Sequence, residues 1–244
     1  MNTTLNKETA FVDLGLIDYQ QAWDYQTRLF NGILDVKQQN RDNPGDQKQT
    51  ENYLIFCEHP HVFTQGRNGD DGNLLKPKDQ LGDINASYYH INRGGDITYH
   101  GPGQLVVYPV IDLENFFTDI HQYMRTLEEA VIRTMKDFGV EGGRIKGLTG
   151  VWLGTQSQSP RKICALGVKS SRWATMHGLA FNVSPDLGYF KYIVPCGIDD
   201  KAVTSLEKET GNAVDMIRVK TLLRKNIQEL FQMTFTHELT PTGE

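Results

Sequence analysis

The sequence lacks any hydrophobic run long enough to span a membrane. Its longest apolar stretch covers only residues 105–111, whereas a membrane helix needs roughly 20 apolar residues. Residues 1–14 have neither the basic start nor the apolar core of a signal peptide. The composition, with 39% hydrophobic and 23% charged residues, is that of a globular protein. We therefore expect a cytoplasmic protein in which residues 1–244 form a single domain that does not bind membranes.

Cysteine is scarce, and the signatures of common cofactor sites are missing. Cys57, Cys164 and Cys196 form no CxxC pair, and their odd number does not suit a disulfide framework, so each is interpreted as a free thiol. The motifs GxGxxG, GxxxxGK(S/T) and HExxH do not occur, which leaves no signal for a dinucleotide, a phosphate loop or a zinc hydrolase. His59 and His61, around a proline, are more typical of hydrogen-bonding histidines than of metal ligands. We expect neither a metal nor a cofactor.

Basic residues are too few to suggest a nucleic-acid partner, because 25 Lys and Arg face 30 Asp and Glu and the net charge is −5. The charges are unevenly distributed, however. Residues 142–185, here called the acid-free segment, contain no Asp or Glu. The basic residues of this segment are Arg144, Lys146, Arg161, Lys162, Lys169 and Arg172.

Apolar periodicity predicts several strands and three long helices. The predicted strands cover residues 10–16, 53–57, 88–92, 104–113, 150–154, 163–169 and 177–183. The predicted helices run from Asp18 to about Val36, from Thr118 to a C-cap at Gly139, and onwards from Asp215. Residues 38–51 are polar and predict an exposed loop. Strands in succession between few helices favour an α+β fold with a mixed, largely antiparallel sheet and flanking helices over a Rossmann fold.

A glycine-rich segment at residues 93–104 is the first candidate for a binding site. It places four glycines and a proline between two predicted strands, together with Arg93, Tyr99 and His100. Glycines permit unusual backbone angles and let a ligand approach main-chain N–H groups. An ordinary glycine-rich turn is the alternative, but the added polar side chains favour a binding function.

Cys196 is the best candidate for a reactive thiol. It stands between a proline and a glycine that interrupt a strand, so it is predicted to lie on a turn. Cys57 fits a small buried hydrophobic residue, and Cys164 is intermediate because a strand would place it on the same face as Lys162. A nucleophilic cysteine needs its thiolate, which a nearby ammonium stabilises. Lys162, at the start of a strand, could supply that charge; the alternative is a solvated lysine.

Six short segments together resemble the octanoyltransferases of lipoate biosynthesis, in the order and at the spacing of that family. They are residues 58–60, 64–67, 93–104, 162–167, 177–182 and 195–197. The resemblance covers about residues 53–207 and leaves out the polar loop and the last helix. Gln65 departs from the leucine more usual in the family.

The resemblance implies a fold similar to the catalytic domain of biotin and lipoate protein ligases. It assigns the acyl-thioester cysteine to Cys196 and the lysine that lowers the pKa of that thiol to Lys162. It assigns substrate binding to three segments, whose residues are Arg93, Gly94, Gly95, Asp96, Ile97, Thr98, Tyr99, His100, Ala165, Leu166, Gly167, Gly178, Leu179 and Ala180.

The implied reaction moves an octanoyl group from acyl carrier protein to a lysine of a lipoyl domain, without ATP or a cofactor. The implied acceptors are the lipoyl domains of 2-oxoacid dehydrogenase E2 subunits and the glycine cleavage H protein. Acyl carrier proteins are acidic, so Arg144, Arg161, Lys169 and Arg172 predict a basic collar that attracts them. An ATP-dependent lipoate or biotin protein ligase of the same fold is the alternative, and a non-enzymatic acyl-binding protein a more distant one.

Overall fold

The computed structural model describes residues 5–194 and 202–238, which contain eleven strands and four α-helices. In chain order the strands are β1 (Glu8–Leu16), β2 (Tyr53–Glu58), β3 (Val62–Gln65), β4 (Ser87–His90), β5 (Ile97–His100), β6 (Gln104–Val110), β7 (Val151–Leu153), β8 (Arg161–Ser171), β9 (Ala174–Asn182), β10 (Ala202–Val203) and β11 (Thr234–Glu238). The helices are α1 (Tyr19–Asp42), α2 (Ile120–Lys136), α3 (Leu206–Thr210) and α4 (Met216–Phe231). The α+β class predicted from the sequence is confirmed.

The strands form two mixed sheets. The larger has the order β10-β8-β9-β6-β2-β1-β11, and β7 also pairs with β8. Its central pairs are antiparallel, whereas β1 lies parallel to both β2 and β11, and β10 lies parallel to β8. The smaller sheet has the order β4-β3-β5. The predicted largely antiparallel, mixed sheet is therefore present, with its parallel pairs toward the edges.

The helices cover the two faces of the larger sheet because each sheet face is apolar. Phe30 and Ile33 of α1 pack on Val12, Ile55 and their neighbours on one face. On the other face, α2 and α4 close over a larger cluster. The central members of that cluster are Phe11, Leu54, Phe56, Leu105, Val107, Leu127, Val131, Leu223 and Ile227. No helix within the described ranges has the length and apolar character that crossing a membrane requires.

Helix α1 begins as predicted but continues beyond Val36. The Asp18 carboxylate accepts the N–H groups of Gln20 and Gln21, which is the expected N-cap. The last turns contain no apolar stripe, yet Gln38 donates to Asp42 one turn later at 2.9 Å. Polar side-chain pairs spaced by four residues thus support helix through Asp42. The prediction of a loop over residues 38–51 is wrong for its first part.

Two strands that the sequence analysis missed, β3 and β5, build the smaller sheet. The glycine-rich segment was expected to be a loop between strands, but its middle pairs antiparallel with β3. Ile97 and Tyr99 are buried on one side of β5, against Phe63. The pairing with β3, which lies about 30 residues away in the chain, decides this strand, so the local glycine content gave a misleading signal.

The hairpin between β8 and β9 turns through two residues with left-handed backbone angles. Arg172 has a φ of 48° and Trp173 a φ of 68°. Two consecutive positive φ angles suit the right-handed twist of a two-residue hairpin, but Asn and Gly normally occupy them. A side chain in this region costs roughly 1–2 kcal/mol per residue, so the turn is strained.

Candidate functional site

A cavity of about 570 Å³ lies beside β8 and β9 and collects most of the residues singled out in the sequence. Lys162 lines it, together with Arg93, Gly94, Gly95, Asp96, Ile97, Thr98, His100, Ala165, Leu166, Gly167, Gly178, Leu179 and Ala180. Three segments far apart in the sequence therefore meet around one space. Tyr99 is the member of the predicted set that does not line it.

Tyr99 does not line the cavity, because its ring packs into the apolar cluster of the smaller sheet. It is fully buried against Phe63, and its ring stacks on Tyr189 with centroids 5.0 Å apart. The Tyr99 hydroxyl forms a hydrogen bond with His61 Nδ1 at 2.8 Å. Tyr99 thus joins the smaller sheet to the segment around Tyr189, and its placement does not fit direct contact with a molecule in the cavity.

Lys162 brings the amine to the cavity. It lies near the start of β8, and its Nζ is 4.6 Å from the centroid of the Trp152 ring. An aromatic face stabilises a cation at this distance. The side chain is therefore directed by β7 as well as by its own strand, which a solvated lysine at a strand end would not be.

Arg93 fixes the glycine-rich segment against β3 and β8. Its buried guanidinium donates from Nη2 to the Thr64 carbonyl at 2.7 Å and to the Thr64 hydroxyl at 3.1 Å. The N–H of Gly94 donates to the Val168 carbonyl at 2.9 Å. A Cβ on Gly167 would lie only 2.9 Å from the Gly94 carbonyl oxygen and 3.0 Å from Arg93 Cδ. Glycine at position 167 is thus what allows the two cavity walls to approach so closely.

Two of the three cysteines lie in the core, away from the cavity. Cys57 and Cys164 are both 0% exposed, and neither is among the residues lining the cavity. Burial raises the pKa of both thiols well above the usual range, and Glu128 adds to the rise at Cys164. Cys57 is thus the buried hydrophobic residue that the sequence predicted. Cys196 lies outside the described residues.

Three buried histidines are neutral, and two of them, His100 and His177, line the cavity. Burial lowers the pKa of His59 to about 4 and the pKa values of His100 and His177 to about 3. His59 donates from Nδ1 to the Ile17 carbonyl and accepts from the Tyr108 hydroxyl at Nε2, each at 2.8 Å. His100 donates from Nδ1 to Gln104 at 2.7 Å. Both His59 and His100 thus have hydrogen-bond partners within the protein. No group of three metal-ligating side chains occurs within the described ranges.

Several cavity residues were not found from the sequence. Tyr19 comes from the start of α1, Tyr108 from β6 and Trp152 from β7, and each lies in a stretch whose pattern indicates only a core helix or strand. Residues 147–149 line the cavity from the loop before β7. Their roles depend on tertiary packing, so no local motif marks them.

The acid-free segment does not stay free of acids after folding. Arg144 pairs with Glu128 at 3.0 Å and with Glu129 at 2.8 Å, and both acids come from α2. Arg161 pairs with Glu209 of α3 at 2.9 Å. Two of the four members of the expected basic collar are therefore neutralised by carboxylates from other elements, and the collar as predicted is reduced to Lys169 and Arg172.

Sequence comparisons with known proteins agree on one family. Residues 18–228 match the family model described as "Lipoyl protein ligase A/B catalytic domain". An octanoyltransferase of Cytophaga hutchinsonii is 59% identical over 237 residues, which cover 96% of each chain. An octanoyltransferase of Flavobacterium psychrophilum is 55% identical over 231 residues, covering 94% of this chain and 99% of that protein.

The fold is also found in solved structures of low sequence identity. A lipoate-protein ligase A bound with ATP superposes with a TM-score of 0.68 at 17% identity, covering 96% of this chain and 89% of the other. A bi-partite lipoate protein ligase from Thermoplasma acidophilum, solved in a study that includes its E2 lipoyl domain, gives a TM-score of 0.65 at 16% identity. That match covers 96% of this chain and 87% of the other.

Proposed function

Since the chain belongs to the lipoyl protein ligase A/B catalytic domain family and is, within it, an acyltransferase of the octanoyltransferase group, we propose that Cys196 carries the octanoyl group between two transfer steps. In the first step the Cys196 thiolate attacks the thioester carbonyl of octanoyl-acyl carrier protein and expels the carrier thiolate. In the second step the ε-amine of a lipoyl-domain lysine attacks the enzyme thioester, forming an amide and releasing the Cys196 thiolate. The amine loses one proton, which the carrier thiolate or the solvent takes up.

The observation that carries this proposal is the position of Lys162 in the cavity. An amine enters a space whose walls include Ile97, Leu166 and Leu179, and an apolar acyl chain with a reactive carbonyl at one end fits such a space. The ammonium form of Lys162 favours a nearby thiolate. The burial of Cys57 and Cys164 leaves Cys196 as the remaining candidate nucleophile among the three thiols.

The donor and acceptors follow from the family. We assign octanoyl-acyl carrier protein as donor, and the lipoyl domains of 2-oxoacid dehydrogenase E2 subunits and the glycine cleavage H protein as acceptors. The study of a lipoate protein ligase together with an E2 lipoyl domain supports a lipoyl domain as acceptor. We further assign the reaction to a single domain over residues 1–244, in the cytoplasm, where a thiol stays reduced.

Intact-mass measurement after mixing with octanoyl-acyl carrier protein, without ATP, tests the thioester. The wild-type chain is expected to gain one octanoyl group, and Cys196→Ser is expected to gain none and to lose transfer activity. Cys57→Ser and Cys164→Ser serve as matched controls and should keep both. An adduct that disappears with Cys164→Ser instead would refute the assignment, and an adduct that needs ATP would favour a ligase.

The role of Lys162 is tested by the reactivity of the thiol. We expect Lys162→Met to slow iodoacetamide alkylation of Cys196 at pH 7 and to leave alkylation at higher pH nearly normal, because loss of the cation raises the thiol pKa. Lys162→Arg should restore only part of the rate, since a planar guanidinium does not replace a compact amine. An unchanged pH profile in Lys162→Met would show that the amine does not tune the thiol.

Acyl-chain length tests the cavity as the acyl site. Each buried methylene contributes about 0.8 kcal/mol, so shortening the donor by two carbons should lower kcat/KM roughly tenfold. The comparison uses hexanoyl and octanoyl carrier proteins under identical conditions. Equal kcat/KM values for butyryl and octanoyl donors would rule out an apolar pocket for the chain.

A further inference from the structure

The most deeply buried carboxylate on α2 belongs to Glu128, which is 0% exposed. Its Oε2 accepts from Arg125 Nη1 at 2.6 Å and from Arg144 Nε at 3.0 Å. Its Oε1 accepts the backbone N–H of Gly150 at 2.9 Å. Oε2 thus pairs with the two arginines, whereas Oε1 binds the backbone just before β7.

Gly150 lies in the chain between Thr149 and Trp152, which both line the cavity, so the hydrogen bond from its N–H connects the carboxylate to this wall. Its φ is 119°, and a Cβ there would lie 2.6 Å from the Cys164 carbonyl oxygen. The same position is 3.5 Å from Lys162 Cε and 3.5 Å from Trp152 Nε1. The Cβ direction of Gly150 therefore faces both the lysine stem and the indole ring beneath its amine, which places the backbone of this residue next to both side chains.

The indole ring of Trp152 depends on this packing. Its Nε1 is buried and has no hydrogen-bond partner within the described residues. The contacts that hold the ring in place are consequently van der Waals contacts and its interaction with the Lys162 ammonium. A shift of Gly150 would be transmitted to both side chains.

We propose that Glu128 is a positioning residue for Lys162, acting through its hydrogen bond to the Gly150 N–H. The significance for catalysis rests on the proposed function of Lys162, whereas the positioning itself does not. A buried carboxylate is costly unless it is paired and hydrogen-bonded, and its neighbours Leu127 and Val131 show that apolar side chains pack well on this face of α2. The hydrogen bond from the Gly150 N–H gives the carboxylate a role that an apolar side chain at position 128 could not fill.

Two substitutions separate the two oxygens. Glu128→Gln keeps an amide oxygen for the Gly150 N–H but removes the charge that pairs with Arg125 and Arg144. Glu128→Asp keeps the charge near the arginines but, being one methylene shorter, withdraws the oxygen from Gly150. If Glu128 positions Lys162, Glu128→Asp should lower the transfer activity more than Glu128→Gln does. Glu128→Gln should in turn lower the Tm more than Glu128→Asp does.

The first readout is kinetic. We expect Glu128→Asp to lower kcat for octanoyl transfer by about tenfold or more with little change in KM for the donor, because small misplacements of a reacting group are costly. Glu128→Gln should retain kcat within about threefold of wild type when measured well below its Tm. Asp112→Asn is the control, since Asp112 is also a buried carboxylate, bound by Lys37 and Thr50 at 2.7 and 2.9 Å. It should lower the Tm and leave kcat unchanged.

The second readout does not require any activity. In a Trp23→Phe and Trp173→Phe background, the fluorescence of Trp152 reports its surroundings, and acrylamide quenching should increase with Glu128→Asp but not with Glu128→Gln. Equal or opposite effects of the two substitutions on quenching would overturn the proposal. If Cys196→Ser were to remain active, the proposed function would fail, but the quenching order would still test the positioning.

Discussion

Two of the three thiols belong to described residues, and both are buried. Cys57 and Cys164 are closed to water, and burial raises the pKa of both. We predict that iodoacetamide will modify neither in the folded protein at neutral pH, because almost no thiolate is present and no path leads to it. Peptide mass spectrometry after brief alkylation checks this, with the denatured protein as the control in which both are labelled. Rapid labelling of Cys164 in the folded chain would contradict the burial.

Because the buried histidines are neutral in the folded protein, we expect the free energy of unfolding to fall in mildly acidic solution. An unfolded histidine has a pKa near 6.5, whereas the folded pKa of His59 is about 4 and that of His100 about 3. Below pH 6.5 the unfolded chain therefore binds protons that the folded chain does not, and the free energy of unfolding falls. Each such histidine adds a slope of about 1.4 kcal/mol per pH unit until its folded pKa is reached.

Urea unfolding between pH 6.5 and pH 5 measures this slope. His100→Gln should flatten the dependence, since one of the proton acceptors of the unfolded chain is removed. His121→Gln, at an exposed position of α2, is the control and should leave the slope unchanged. A slope that His100→Gln does not alter would mean that His100 is already protonated in the folded state.

Individual site residues could be predicted where a short motif contains them. Lys162 and the glycines of the cavity walls lie in such motifs and do line the cavity. Tyr99 lies in the same glycine-rich segment, yet its ring packs into the core of the smaller sheet, which the sequence did not predict. No sequence pattern indicated the buried role of Glu128, because a glutamate on an amphipathic helix is normally solvated. Only the folded structure brings the arginines and the Gly150 N–H to it.

At the scale of whole elements, apolar periodicity predicted those helices and strands that local sequence determines. The cores of β1, β2, β6, β8, β9 and α2 were found because a repeating pattern of buried residues defines each of them. β3 and β5 were missed because each has only four residues and depends on pairing within the smaller sheet, and β11 because its partner β1 is at the opposite end of the described chain. The end of α1 was missed because polar pairs, which carry no apolar period, extend it.

The strained turn between β8 and β9 predicts a stabilising replacement. Changing Arg172→Asn together with Trp173→Gly should raise the free energy of unfolding by about 1 kcal/mol, because these residues tolerate positive φ. Urea denaturation at neutral pH gives the value. The matched control, Arg172→Ala with Trp173→Ala, retains Cβ atoms at both positions and should bring no such gain. A less stable Asn-Gly variant would show that the Trp173 side chain contributes more than the strain costs.

Charge at the scale of the whole molecule bears on the docking of the proposed donor protein. Glu128, Glu129 and Glu209 neutralise Arg144 and Arg161, so long-range attraction must come from other residues. We expect Lys169→Glu with Arg172→Glu to raise KM for octanoyl-acyl carrier protein several-fold and to spare octanoyl-coenzyme A.

The same measurement over a range of salt concentrations separates docking from structure. The effect of the double reversal should shrink above about 0.1 M salt, where the Debye length is roughly 10 Å. Arg144→Glu is the comparison, because it disrupts a folded ion pair and should affect both donors alike. A loss that is independent of the donor for Lys169→Glu with Arg172→Glu would assign these residues to structure.

The parallel pairing of β1 with β11 constrains how the chain is made. Synthesis on the ribosome delivers β1 and β2 early, but their apolar residues Phe11, Leu54 and Phe56 are covered only when α4 has emerged, and β11 follows it. A nascent chain therefore exposes part of the apolar face of its larger sheet until α4 is made. Such a chain is a substrate for chaperones until its last strand leaves the exit tunnel, and a premature stop before Met216 would yield a product that aggregates rather than a smaller enzyme.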